Sequence, residues 1–236
     1  MGAETRDLLR PTTTRQALRT PRAAAIAGIV FSVLMSATIV LIRLALPNDP
    51  RETAIWVSAP VRRIEIAVAL NLVPFAGIAF LWFIGVVRDR MGQHEDRFFA
   101  SVFLGSGLLF VAMLFSAMAV AGGIFAVFQT SGSLPNDLWR LGYGITYALM
   151  STYAMRMAAV FTISTATIAL RIAIMPRWLG FTGYLSALVL LLGSGFVAWL
   201  ELVFPLWVLL VSVEILVTSL RTRDLTLAKI PSERST

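Results

Sequence analysis

Tyr147-Ala148-Leu149-Met150-Ser151-Thr152-Tyr153-Ala154-Met155-Arg156-Met157-Ala158-Ala159-Val160-Phe161 is an apolar run with an arginine near its middle. Burying a guanidinium at such a position in a bilayer costs about 3 kcal/mol on insertion scales. The stretch reads as a membrane helix that has to satisfy one charge. Outward from it the same texture repeats in both directions. The chain is 58% hydrophobic and 14% charged, against roughly 25% charged residues in a soluble domain. Its apolar residues fall in blocks of about twenty, the length that crosses a hydrocarbon core.

These blocks predict an all-α polytopic transmembrane bundle with six spans, at about 23–45, 63–87, 98–128, 141–170, 179–199 and 203–220. A basic segment, 1–22, precedes them and a tail, 221–236, follows. The first block is longer than the 7–15-residue core of a secretory signal, so it reads as an uncleaved span.

The basic residues set the expected orientation. The N-terminal segment, the 88–97 and 171–178 loops and the tail together hold fourteen arginines and lysines, whereas the loops on the other side hold four. The positive-inside rule then puts both termini in the cytoplasm, as expected of a plasma-membrane protein. The net charge of +7 is accounted for by this asymmetry, and nucleic acid is not an expected partner. The expected partners are membrane lipids and a membrane-protein partner or a second copy of the chain.

Several chemistries are disfavoured by residue type. There is no cysteine, and the single histidine, His94, lies in a mixed-charge loop. Thiolate catalysis, histidine-box oxidation and bis-histidine haem are therefore not expected. The lone lysine, Lys229, is in the tail, so no intramembrane Schiff base is available. No phosphate-binding loop or metalloprotease helix is present. No cofactor or metal site is expected.

The candidate polar site is built on Arg156. Counting about 1.5 Å per residue from the span ends brings Glu214, the one acid deep in a span, to a similar depth, and an Arg156–Glu214 pair is the leading expectation. Thr152 shares a face with Arg156. Glu65 and Asn71 on the second span are alternatives. Pro74 follows Asn71 and is expected to kink that helix and free a carbonyl near Leu70. Small residues at four-residue spacing, Gly28/Ser32/Ser36 in the first span and Ala117/Ala121 and Ala119/Gly123 in the third, allow close helix approach. They predict a central, tightly packed third span. The phrase Leu46-Pro47-Asn48-Asp49 returns as Leu134-Pro135-Asn136-Asp137, which common turn and cap chemistry explains.

Pro176-Arg177-Trp178-Leu179-Gly180-Phe181-Thr182-Gly183, followed by an apolar run and Phe204-Pro205-Leu206-Trp207, resembles a pattern in uncharacterised six-helix bacterial integral membrane proteins. The resemblance covers about the last fifth of the chain, and it implies a helix count without site residues. The leading functional expectation is a non-enzymatic structural or accessory subunit that packs against partner proteins or lipid. The alternative is a small-solute or ion transporter using Arg156/Glu214 and Asn71/Pro74. A lipid-modifying enzyme ranks third.

Overall fold

A computed structural model of the chain describes residues 20–45, 60–91, 97–171, 176–193, 197 and 199–229. The first copy of the repeated phrase, His94 and the 1–19 segment lie outside them. The described residues form helices and no strand: α1 (Thr20–Ala45), α2 (Pro60–Met91), α3 (Arg97–Ser131), α4 (Asn136–Tyr147), α5 (Met155–Arg171), α6 (Arg177–Gly193) and α7 (Val203–Lys229). A π-helical turn, Ala148–Ala154, joins α4 to α5 without a break in the rod, and a 3-10 turn, Leu200–Leu202, leads into α7.

Five rods are long and apolar enough to cross a membrane, the α4–π–α5 rod counting as one. This is a multi-pass membrane protein. The sixth apolar helix, α6, has 17 residues, about 26 Å at 1.5 Å per residue. The span expected over 179–199 is described as helix to Gly193, and most of its last residues lie outside the described residues.

The core is aromatic. Phe31 (α1), Phe80 (α2), Phe110 (α3), Phe161 (α5) and Phe204 (α7) meet in one layer, with ring centroids 4.6–6.2 Å apart. All five rings are completely buried. Five helices thus each contribute a ring to the bundle centre, in the tilted and edge-on geometries that aromatic quadrupoles prefer.

Close helix approach occurs at particular glycines. A Cβ on Gly28 would fall 2.0 Å from Ser212 Oγ and 2.8 Å from the Phe83 ring. That is where α1 is pinched between α2 and α7, as the small-residue face of the first span anticipates. Gly107 of α3 meets Ile84 and Phe161 in the same way.

The rest of α3 departs from expectation. Only 22% of its apolar window is buried, against 44% for α1 and for α7. Ala117 faces the core, but Ala119 and Gly123 are exposed. The helix is peripheral over much of its length rather than central, and Ala112, Ser116, Ala119 and Gly123 point away from the bundle.

The α3–α4 turn closes on Gly132, whose φ of 69° is the left-handed conformation that ends a helix. Its N–H bonds the Phe128 carbonyl at 2.9 Å. Asn136 then opens α4 with Asp137 in its first turn, where a carboxylate complements the helix dipole. Arginines stack on rings at both ends of α3: Arg171 lies 4.6 Å from the Phe99 ring centre and Arg63 lies 5.1 Å from that of Phe128.

Candidate functional site

The buried charges are not the ones the sequence singles out. Arg43 Nη2, at the end of α1, lies 2.9 Å from Oε1 of Glu201 in the 3-10 turn before α7. The Glu201 side chain is 3% exposed and that of Arg43 is 20% exposed. The Ser151 hydroxyl donates to the same Glu201 oxygen. Three elements distant in sequence converge on one carboxylate.

Local structure explains each position. Trp199 and Val197 accept the N–H groups of Leu202 and Leu200 at 3.1 and 3.3 Å, which winds the turn tightly and presents Glu201 to the interior. Leu200 fills the space beside Gly193, where a Cβ would come within 2.7 Å of it. Ser151 sits in the π-helical turn, which widens the helix and rotates the following residues relative to α-helical phasing. Such turns occur frequently at functional positions. Arg43 is four-fifths covered, so its charge depends on the carboxylate rather than on water.

Glu201 Oε1 accepts two donors, whereas Oε2 is buried with no hydrogen-bond partner among the described residues. A buried carboxylate oxygen without a donor costs free energy. This site therefore has capacity for one further hydrogen bond. It can hold a compensated charge and tie three helices together.

The sequence-derived candidates are dispersed. Arg156 is exposed on α5 and has no ion-pair or hydrogen-bond partner among the described residues. Glu214 is half-buried on α7 and accepts only a long, 3.5 Å contact from Thr218 one turn along. The expected Arg156–Glu214 pair does not form. Phe161 and Phe204 touch, with centroids 6.1 Å apart, and α5 and α7 run in the same direction. From that level Arg156 lies five residues back and Glu214 ten residues forward, which separates them by roughly 20 Å along the bundle at 1.5 Å per residue.

Asn71 is exposed on α2, and its amide donates to the Ala67 carbonyl of its own helix at 2.8 Å. Pro74 lies inside a continuous α2, also exposed. Asn71 lines a shallow outward groove with Ile64, Ala67, Val68, Leu72 and Phe75. Glu65 is half-buried on the same helix, and Thr152 is half-buried one residue past Ser151. The structure does not gather these five residues into one site.

The hydroxyls in the second half of the fourth span are absorbed by its own backbone. Thr162, Ser164, Thr165 and Thr167 each donate to the carbonyl four residues earlier, at 2.7–2.8 Å. Hydroxyls satisfied in this way are compatible with an apolar surround.

Sequence reasoning missed Arg43, Glu201 and Ser151. Arg43 reads as a residue that reaches the interface from the end of a span, and Glu201 reads as a loop acid. The available signal was the setting of Glu201 in Ala198-Trp199-Leu200-Glu201-Leu202-Val203-Phe204, a carboxylate without polar neighbours. Comparison with protein-family models, curated proteins and solved structures finds no match to this chain.

Proposed function

We propose that the chain is a non-enzymatic structural or accessory subunit of a bacterial inner membrane, crossing it six times with both termini in the cytoplasm. The observation that carries this reading is the outward face of α3. Ala112, Ser116, Ala119 and Gly123 are all exposed, at intervals of four, three and four residues. That spacing places them on one face. A Cβ on Gly123 would meet nothing within 4 Å. Small residues let a second membrane helix approach closely, and in this bundle they are not used for internal packing.

The transporter reading has less support. Its arginine stands on the outside of α5, and the layer of five phenylalanine rings fills the bundle centre where a solute path would run. The six-span count also agrees with the resemblance noted for the last fifth of the chain.

The reading is tested by photo-crosslinking in native membranes. A crosslinker at Ala112 or Ala119 is expected to yield a defined adduct with a partner helix, and one at Val68 on the outer face of α2 is expected to give only lipid adducts. Lipid adducts alone from both helices would contradict the reading.

A further inference from the structure

Arg156 is exposed within an apolar rod and has no partner among the described residues, a position that calls for a compensating anion. Its surroundings indicate which. Gly180 packs against Leu170 and Gly183 against Ala166, which sets the antiparallel register of α6 on α5. Each residue toward the start of α5 is therefore matched by one toward the end of α6. At about one residue for one residue, Arg156 comes level with the last turn of α6, near Gly193.

The outer face of α6 is a strip of large side chains. Phe181, Leu185, Leu188 and Leu192 are 66%, 63%, 53% and 70% exposed and follow one another at intervals of four, three and four residues. The strip ends at the level of Arg156. At the same end of the bundle Tyr153 and Trp199 are also exposed, as aromatic side chains are at headgroup depth. A cation at the end of an apolar strip matches a phospholipid in shape and charge, with acyl chain along the strip and phosphate at the guanidinium. A long arginine stem extends toward the interface in this way. A partner helix fits this face less well, because branched and aromatic residues keep backbones apart and the small-residue face is on α3.

We propose that Arg156, with the outer strip of α6, is a binding site for an anionic phospholipid, held through its phosphate. The site rests on membrane embedding alone and is independent of the accessory role. The loss of one reading leaves the other standing, since lipid retention and α3 crosslinks are read separately.

The test uses the full chain in nanodiscs of phosphatidylcholine containing phosphatidylglycerol, with retained lipid counted by native mass spectrometry. Wild type is expected to retain phosphatidylglycerol in preference to phosphatidylcholine. Arg156→Gln is expected to weaken that retention by about fivefold, the effect of one arginine near a charged headgroup. Arg156→Lys keeps the point charge and is expected to keep most of the preference. Inorganic phosphate is expected to displace nothing. Equal retention by wild type and Arg156→Gln would overturn the proposal. Displacement by inorganic phosphate would also overturn it and indicate a free-anion site. A dimer that dissociates on Arg156→Gln with lipid retention unchanged would assign the face to a second copy and overturn it as well. Should Arg156→Gln fail to fold, a wild type without preference for phosphatidylglycerol overturns it alone.

Discussion

Arg43 and Glu201, 158 positions apart in the chain, form a 2.9 Å ion pair between the end of α1 and the turn that starts α7. The carboxylate is buried, and Ser151 shares its Oε1. A chain of this composition has few ways to fix the ends of its helices, because apolar packing against neighbours is hardly distinguishable from packing against lipid. A charge-assisted contact is specific where apolar packing is not. The pair holds α1, the π-helical turn and the last hairpin in one register.

Ser151→Ala removes one hydrogen bond to a charged acceptor and leaves the ion pair. The expected loss is about 2 kcal/mol of stability, read from unfolding in mixed micelles. A change within about 0.5 kcal/mol, as for surface substitutions, would mean that the hydroxyl does not support the carboxylate.

Arg156 and Glu214 are expected to behave as strangers. Arg156→Ala and Glu214→Ala should add within about 0.5 kcal/mol when combined, as well-separated sites do. A larger coupling would mean that the two residues meet, against their separation along α5 and α7.

A glycine in a packed crossing and one beside open space should respond with opposite sign. Gly28→Val drives a side chain into Ser212 and Phe83 and is expected to cost about 1–3 kcal/mol, the usual range for overpacking. Gly123→Ala fills open space and is expected to gain up to about 1 kcal/mol from helix propensity. Denaturation of the two purified variants measures both.

The chain has no cysteine, so single cysteines report sidedness without background. With both termini cytoplasmic, a membrane-impermeant maleimide applied to intact cells is expected to label Asn136→Cys and spare Arg177→Cys. The reverse pattern would invert the topology.

Most of the helical layout was legible in the residues. The blocks expected at 23–45, 63–87, 98–128, 141–170 and 203–220 lie within the observed helices and the π-helical turn, because apolar length is set by bilayer thickness. Pairing was not legible, for a geometric reason. Depth is counted from assumed span ends, but the α4–π–α5 rod runs well past a span's length, so equal counts do not give equal depths. Arg156 and Glu214 looked level and are not, whereas Arg43 and Glu201 looked peripheral and are buried together. The four-residue spacing in the third span correctly marks a face. Spacing alone does not say whether that face turns inward or outward, and Ala119 and Gly123 turn outward.

The most direct test is a double-mutant cycle on Arg43→Ala and Glu201→Ala, read as unfolding free energy in mixed micelles. Each single variant strands a charge and is expected to cost about 3 kcal/mol. The double variant should cost clearly less than their sum, with a coupling above about 1 kcal/mol. Additivity within about 0.5 kcal/mol would contradict the claim that this buried pair, and not Arg156 with Glu214, holds the bundle together.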